Sequence, residues 1–308
     1  MNPISKRKGV SPYIKSLPLL ALCVPGLIMV IINNYLPMFG VIIAFKEYNY
    51  VDGILGSPFV GLKNFEFFFQ SNDAAKIISN TLLYNCVNLL LKTVFCVTVA
   101  LLLYEINSKN CIKYFQTTMA LPSTISAVVV AYIGYALLSF DNGVVNTILE
   151  NIGAEKILFY NEAKYWPFFI IFAQQWSQIG IGMLMYYGTL MNIDSQLFEA
   201  AEIDGARRIK QIIHIAIPAL VPVISLTLIL GVGHMLDSGL GLNYQLPMNS
   251  PAVYSTTDVI GTYLLRGIQT GSMGVSAAVG LFQNVSGMIL LLVTNGIVRK
   301  ISPDNAVF

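Results

Sequence analysis

Long apolar runs without a charged residue alternate along the chain with short charged segments. The runs free of Asp, Glu, Lys and Arg are 16–45, 114–140, 165–193, 211–236 and 267–298, and the run 77–104 is interrupted only by Lys92. About 20 apolar residues are enough for a helix to cross a lipid bilayer. Each of these six runs is therefore long enough to form one transmembrane helix.

The apolar runs predict six membrane-spanning helices and no other spanning structure. Inside hydrocarbon every backbone polar group needs a partner within the chain, which favours helices, and the alternating ten-residue segments of a membrane barrel are missing. A further uncharged stretch at 238–257 is rich in Gly, Pro, Asn and Ser, so it predicts a loop. The predicted spans are 17–37, 80–104, 116–139, 166–190, 211–234 and 275–298.

Composition supports an integral membrane protein. Of the 308 residues, 55% are hydrophobic and 11% are charged, and the mean hydropathy is +0.66. Soluble domains carry about 25% charged residues, and disordered chains combine low hydrophobicity with high charge. Four cysteines are too few for a disulfide scaffold. The net charge of +2 provides no field for nucleic acid, so we expect no nucleic-acid partner.

The distribution of Lys and Arg predicts that both termini lie in the cytoplasm. With the N-terminus inside, eleven basic residues fall on the inner side and six on the outer side, and basic residues favour the cytoplasmic side. The inner residues are Lys6, Arg7, Lys8, Lys15, Lys109, Lys113, Arg207, Arg208, Lys210, Arg299 and Lys300. The outer residues are Lys46, Lys63, Lys76, Lys156, Lys164 and Arg266.

Polar side chains within the predicted spans are candidates for a substrate pathway, because polar groups in lipid should face the bundle interior or a watery cavity. Amides can pair with sugar hydroxyls, and aromatic rings can stack on sugar faces. The alternative is that these residues join packed helices. Lys92 is expected to snorkel or to pair with another charge. The candidates are Asn85, Asn88, Gln174, Trp176, Gln178, Tyr186, Tyr187 and Asn284, with Trp176 off the face that Gln174 and Gln178 share.

Motifs for catalysis or metal binding are missing from the sequence. There is no phosphate-binding G-x-x-x-x-G-K-[ST] loop and no G-x-S-x-G motif. The two histidines, His214 and His234, have no Cys or carboxylate at metal-ligand spacing. We therefore expect neither enzymatic activity nor a metal site. Intramembrane carboxylates typical of ion-coupled carriers are also missing, which weighs against a stand-alone carrier.

The charged connection at 191–210 predicts a short helix followed by a sharp turn. Asp194 is a good N-cap for a helix at 195–203, and Gly205 suits a left-handed turn that ends it. We expect Asp204 to cap the following helix. On the other side of the membrane, the loop 235–274 either contacts a partner or forms a structured cap on the bundle. The residues proposed for contact are Tyr244, Gln245, Asn249 and Tyr254.

The run E-A-A-x-x-D-G-A followed by I-x-I-P-x-L resembles the cytoplasmic signature of type I ABC importer permeases. The matching residues are Glu199, Ala200, Ala201, Asp204, Gly205, Ala206, Ile215, Pro218 and Leu220. Many members have Pro where this chain has Ser195. The segments 2–49, 61–69, 80–85, 120–126, 254–266 and 277–295 are similar to the carbohydrate-uptake branch, especially its polysaccharide and oligosaccharide subgroup.

This resemblance implies an all-α fold of six transmembrane helices in a bacterial cell membrane. It divides the chain into an N-terminal tail, first helix and extracellular loop at 1–79, a core permease domain at 80–298 and a cytoplasmic tail at 299–308. The helix 195–203 would be the coupling helix, and Glu199, Ala200, Ala201, Asp204, Gly205, Ala206 and Pro218 would couple it to an ATPase.

The resemblance also implies the partners. These are a second, homologous permease, two ABC ATPase subunits, an extracellular solute-binding lipoprotein, membrane lipid and a sugar or oligosaccharide. ATP and Mg would be bound by the ATPase subunits. Import of an amino acid, peptide or phosphate by the same type of importer is the first alternative. An ion-coupled carrier is the second, and a membrane enzyme is the third.

Overall fold

The computed structural model describes residues 12–237 and 240–301, and the basic residues at 6–8 and the tail at 302–308 lie outside this range. Helices dominate the described ranges, where an antiparallel bridge between Lys46 and Phe59 is the one β contact. The helices are α1 (Pro12–Val30), α2 (Gly53–Gly56), α3 (Lys63–Phe69), α4 (Ala74–Tyr104), α5 (Lys109–Ala120), α6 (Ala127–Leu138), α7 (Val144–Asn151), α8 (Trp166–Met191), α9 (Ser195–Ile203), α10 (Arg208–Gln211), α11 (Ile217–Gly233), α12 (Leu242–Gln245), α13 (Tyr254–Thr257), α14 (Ile260–Gln269) and α15 (Met273–Ile301).

Five helical segments in the described ranges are unbroken, apolar and long enough to cross a membrane. They are Ala21–Phe45, Ala74–Tyr104, Ala163–Met191, Arg208–Gly233 and Met273–Lys300. A sixth span is formed if the bent pair of α5 and α6 is counted as one. The predicted all-α class with six apolar spans is thus confirmed in its helical content, and one span differs in shape.

The predicted span 116–139 is wrong as a continuous helix. The chain turns by 92° between α5 and α6, after a short 3₁₀ turn at Leu121–Thr124. Pro122 lacks the N–H that an α-helix requires, and the chain then becomes extended at Ile125 and Ser126, with ψ of 130° and 151°. Ser126 then starts α6 as an N-cap, since its hydroxyl accepts a hydrogen bond from the Val129 N–H. The sequence contained both signals, but the unbroken run of uncharged residues obscured them.

The first span extends further than predicted, to Phe45 instead of residue 37. Its helix changes to a π turn at Ile31–Tyr35 and then to a 3₁₀ helix at Leu36–Phe45. The side chains of Asn33 and Asn34 donate to the carbonyls of Met29 and Val30, four residues back. Such side-chain bonds compete with the regular helix ladder, which accounts for the irregular turn at this place.

The centre of the bundle is the parallel pair α4 and α8, in which Asn88 faces Gln174 and Lys92 faces Gln178. Small residues allow these helices and their neighbours to approach closely, which is how helices pack in membranes. The buried apolar side chains form three clusters, one of them near α9 and the other two near α12–α14. We call residues 242–269, which contain α12–α14, the cap. The cap folds back onto α4 and α8, so the long loop predicted at 235–274 is ordered structure in the ranges described.

Candidate functional site

The helix α9 begins at Ser195 and ends at Ile203, as the sequence predicted. The Asp194 carboxylate accepts a hydrogen bond from the Gln196 N–H at 3.0 Å, which is the predicted N-cap. Gly205 has φ of +73°, in the left-handed region that favours glycine. The Gly205 N–H donates to the Glu202 carbonyl and the Ala206 N–H donates to the Ala201 carbonyl, which completes a Schellman turn.

Asp204 does not cap the following helix, contrary to the sequence prediction. It is the last residue of the α9 turn, where its N–H donates to the Ala200 carbonyl. Arg207 precedes α10 in extended geometry, and no side chain caps that helix. The Schellman turn places Asp204 at the end of α9, four residues before the first residue of the next helix, so its carboxylate is too early in the chain to serve as the cap.

One face of α9 is exposed and the other is fixed to the bundle. Phe198 packs against Tyr104 at the end of α4, with ring centroids 5.8 Å apart. Arg208 lies over the Phe198 ring at 5.8 Å and forms an ion pair with Glu105. These contacts join α9 to α4, so a force applied to α9 is transmitted to a spanning helix. The coupling candidates Glu199, Ala200, Asp204, Gly205 and Pro218 are exposed, and Ala201 and Ala206 are half-buried.

A shallow recess of about 420 Å³ lies beside the α9 turn. Ala201 and Ala206 line it together with residues at the start of the next span. Alanine side chains keep this recess open, because they fill little volume. The remaining lining residues are Lys210, Gln211, His214 and Ile215.

A second, polar cavity of about 400 Å³ lies between α4, α8 and the end of α11. Four of the eight candidate pathway residues line it: Asn85 and Asn88 from α4, and Gln174 and Gln178 from α8. The sequence placed these pairs on single helical faces, and the structure turns the two faces toward one another. The other lining residues are Leu89, Lys92, Ala127, Gln175, Gly231, His234, Asp237, Gly241, Leu242 and Asn243.

Hydrogen bonds between amides organise the wall of the polar cavity. Asn88 donates to the Gln174 side-chain oxygen, and Gln174 donates to the Asn243 side-chain oxygen at 3.1 Å. Gln175 donates to the Asn88 side-chain oxygen at 2.9 Å, while its own oxygen is buried without a partner. Deeper along α4, the Lys92 ammonium donates to Gln178 at 3.0 Å. The wall thus offers several amides to the hydroxyls of a ligand.

The rim of the polar cavity carries its other charged groups. Asn85 donates to the backbone carbonyls of Met235 and Asp237 at 2.7 and 3.1 Å, which ties α4 to the end of α11. The His234 ring lies 3.6 Å from the Asp237 carboxylate, and Gln283 donates to that carboxylate at 3.3 Å. Asp237 therefore has its own partners at the rim.

The structure places the other four pathway candidates away from the polar cavity. Trp176 lies in an apolar groove of about 410 Å³ with Phe168 and Phe172. Tyr186 is buried, and its hydroxyl shares a hydrogen bond of 2.8 Å with Thr227. Tyr186 belongs to the buried apolar cluster near α9, and Tyr187 packs against that cluster. Asn284 donates to a carbonyl of its own helix. The expected aromatic platform beside the amides is therefore not part of the cavity wall in the ranges described.

Among the polar residues that line the cavity, sequence reasoning missed Asn243, His234 and Asp237. Asn243 belongs to the cap, far from α4 and α8 in sequence, and only the folding of the cap brings it to Gln174. His234 and Asp237 follow the last turn of α11, where the sequence indicated the start of a loop. Gln175 could have been identified as a cavity residue from the sequence, since it is one of three glutamines that lie within a five-residue segment of a predicted span.

The cap is held together by contacts among its own residues. Tyr254 donates to the Asn249 side chain at 2.6 Å, and the Arg266 guanidinium lies 4.4 Å from the Tyr254 ring centre. Arg266 also forms an ion pair with the buried Asp258, which accepts a hydrogen bond from Thr262. Burial opposes the charge of Arg266, but the hydrogen bond and the charge of Asp258 outweigh it and raise its pKa.

Of the four residues proposed for contact with a binding protein, Tyr244, Gln245, Asn249 and Tyr254 are all half-buried. Tyr244, Asn249 and Tyr254 line a narrow cleft within the cap. Their surroundings fit a structured cap on the bundle, which was one of the two interpretations of this loop. The cap also closes one side of the polar cavity through Asn243.

Comparison with known proteins gives a consistent result for most of the chain. Residues 78–304 match the family model described as the binding-protein-dependent transport system inner membrane component. The chain is 33% identical over 282 residues to the polygalacturonan/rhamnogalacturonan transport system permease protein YteP of Bacillus subtilis, covering 91% of this chain and 87% of that protein.

Two solved structures also match. One is a bacterial ABC transporter involved in the import of the acidic polysaccharide alginate, with a TM-score of 0.84, 32% identity, and coverage of 94% of this chain and 97% of that chain. The other is a bacterial alginate ABC transporter in complex with an alginate pentasaccharide-bound periplasmic protein, with a TM-score of 0.83, 32% identity, and coverage of 94% and 96%.

Proposed function

The chain belongs to the family of binding-protein-dependent transport system inner membrane components, and on this premise we propose how its parts carry out import. It is the permease subunit of a bacterial ABC importer for a sugar or oligosaccharide, and it lies in the cell membrane. The family is a membrane component of transporters and not a class of enzymes. The alternatives of an ion-coupled carrier or a non-sugar substrate are not favoured by these relatives.

The partners in this proposal are a second, homologous permease, two ATPase subunits and an extracellular solute-binding lipoprotein. ATP and Mg are bound by the ATPase subunits, because this chain's sequence has no phosphate-binding loop. Both termini of the chain lie in the cytoplasm, on the side of the ATPases. A periplasmic protein loaded with an oligosaccharide accompanies the related alginate transporter, which supports the assignment of a binding protein.

The observation that carries the mechanism is the geometry of α9. Its exposed face is available to an ATPase, and its other face is joined to α4 through Phe198 and Arg208. When ATP closes the ATPase pair, α9 is displaced and carries the attached spanning helices with it. The bundle then alternates between inward-open and outward-open states. Glu199, Asp204 and Gly205 lie on or beside the surface that receives this motion.

The polar cavity is the substrate pathway in this proposal. Asn85, Asn88, Gln174 and Gln178 exchange hydrogen bonds with sugar hydroxyls as the substrate passes. The cavity lies at the middle of the α4–α8 pair, which is where transporters of alternating access place their substrate. The cap lies over one end of this pathway, where the binding protein delivers the substrate.

Uptake by the assembled importer tests the proposed function. The permease pair, the ATPases and the loaded binding protein are reconstituted in vesicles, with ATP and Mg on the ATPase side. We expect saccharide accumulation that requires hydrolysable ATP and persists when ionophores collapse all ion gradients. Accumulation without ATP, or accumulation abolished by ionophores at full ATP, would contradict the proposal and favour a carrier.

A further inference from the structure

A lysine lies near the middle of the longest spanning helix. Lys92 follows the start of α4 by 18 residues and precedes its end by 12. At 1.5 Å per residue, its backbone is about 27 Å from one end of the helix and about 18 Å from the other. A charge at this depth is costly in lipid, so it is retained where it faces water or a partner and serves a function.

The hydrogen-bond partner of Lys92 is a neutral side chain. The Lys92 ammonium lines the polar cavity and donates to the neutral amide of Gln178 at 3.0 Å. Among the residues described, no carboxylate forms an ion pair with it. Asp237, the one carboxylate lining the cavity, lies beside Asn85, about two helical turns away along α4, and His234 and Gln283 already contact it.

The packing of α4 against α8 fixes the position of the Lys92 side chain. A side chain at Gly182 on α8 would place its Cβ 2.6 Å from the Cys96 sulfur and 3.4 Å from the Lys92 Cε. The missing side chain leaves space for the lysine stem to lie against α8. Gln178 precedes Gly182 by one helical turn and holds the ammonium in place. Lys92 is therefore directed into the cavity and does not extend toward the end of its helix.

We propose that Lys92 receives a carboxylate of the transported substrate, so that the importer carries an oligosaccharide of uronate type. This inference rests on the proposed function and adds the charge of the substrate to it. The amides of Asn88, Gln174 and Gln178 serve the hydroxyls, and Lys92 serves the acid group. One ammonium matches the single charge of a carboxylate, whereas a phosphate monoester carries nearly two charges.

A lysine at this position also suits a transport pathway better than an arginine. Arginine grips a carboxylate with two parallel hydrogen bonds in fixed geometry, while lysine acts as a point charge on a flexible stem. A substrate that must leave after each cycle needs attraction without a rigid clamp. A lysine held by one neutral amide can release Gln178, contact a passing carboxylate and return.

Competition between charged and neutral saccharides tests this role. The complete importer with its binding protein is reconstituted in vesicles and offered a panel of uronate trisaccharides, mixed equally with their carboxyl-reduced counterparts. Mass spectrometry of the vesicle contents gives the ratio of anionic to neutral uptake. We expect the wild type to accumulate the anionic sugars, and Lys92→Gln to lower the ratio about tenfold, since one charge-assisted hydrogen bond is lost. Lys92→Arg should keep the ratio above that of Lys92→Gln.

Controls separate a role in specificity from a role in folding. Lys76→Gln removes a lysine of the same helix that forms an ion pair with Asp73 outside the cavity, and it should leave the ratio unchanged. Gln at position 92 can still contact Gln178, and Lys92→Met is a second neutral variant to be used if Lys92→Gln fails to assemble. Size-exclusion chromatography of the complex checks assembly.

The outcomes of this experiment separate the role of Lys92 from the proposed function on which it rests. A wild type that imports only the neutral sugars, or a neutral variant at position 92 with an unchanged ratio, would overturn the role of Lys92 while leaving the proposed function intact. No ATP-dependent uptake of any saccharide by the wild type would overturn the proposed function, and this inference with it.

Discussion

Gly180 shows how one residue sets a helix contact in this bundle. It lies on α8, and a Cβ at this position would fall far inside van der Waals contact with the Met119 carbonyl near the end of α5. The obstacle is backbone, which cannot rotate away as a side chain can. The approach of the two helices therefore depends on the missing side chain.

We predict that Gly180→Ala lowers the stability of the protein by about 2 kcal/mol, because the added methyl group forces α5 away from α8. The unfolding temperature of the purified complex in detergent should fall by about 4 °C for a chain of this size. The measurement is a thermal melt followed by tryptophan fluorescence.

Gly188 provides the matched control on the same helix. A Cβ there meets nothing within 4 Å, so Gly188→Ala should leave the unfolding temperature unchanged or raise it slightly through better helix propensity. Equal effects of the two substitutions would show that the contact at Met119 does not set the packing of α5 on α8.

At the scale of elements, the turn between α9 and α10 determines the direction of α9 relative to the spanning helices. Its geometry depends on the left-handed backbone of Gly205, where other residues are strained by roughly 1–2 kcal/mol. Space is not the constraint, since a Cβ at Gly205 meets nothing within 4 Å. A substitution here therefore changes the direction of α9 without disturbing the spanning helices.

We predict that Gly205→Val abolishes most ATP-driven uptake while membrane insertion stays intact, because a β-branched residue resists φ of +73°. Uptake in vesicles and the amount of complex in the membrane fraction are the two measurements. Gly205→Asn is the control, since asparagine tolerates the left-handed region, and it should retain more uptake than Gly205→Val. Wild-type uptake in Gly205→Val would contradict a coupling role for this turn.

The elements also show which helix boundaries can be predicted from the sequence and which cannot. The bounds of α9 agree with the sequence because an N-cap at Asp194 and a glycine at 205 are local signals. The break between α5 and α6 was missed although Pro122 marks it, because a proline at a span can either kink a helix or end it. Which of the two occurs depends on what packs against the break, here α8 through Gly180.

At the scale of the whole molecule, the bias of basic residues predicts which end faces the cytoplasm. The α9 end carries Arg207, Arg208 and Lys210, and the opposite end carries the cap. An ATPase on the α9 side requires this orientation. The two ends can be distinguished by the access of a membrane-impermeant reagent to single cysteines.

We predict that, in membranes containing the permease without its ATPase subunits, a cysteine at Gln196 is labelled by an impermeant maleimide only in inside-out vesicles, and a cysteine at Tyr50 only in right-side-out vesicles. Both positions are exposed. The substitutions Gln196→Cys and Tyr50→Cys are made in a chain whose exposed native cysteines, Cys23, Cys86 and Cys111, are replaced by serine. Labelling of Gln196→Cys from outside would reverse the orientation and exclude an ATPase at α9.

The sequence alone determined the class of the protein, the approximate spans and the limits of α9, because long apolar runs, caps and glycine turns act over a few residues. It also placed Asn85, Asn88 and Lys92 on one helical face. Only the tertiary structure decided which faces meet. The rotation of α8 against α4 brings Gln174 and Gln178 to that face and leaves Trp176 outside. The folding of the cap adds Asn243, and such contacts depend on packing between segments far apart in the chain, which local patterns do not specify.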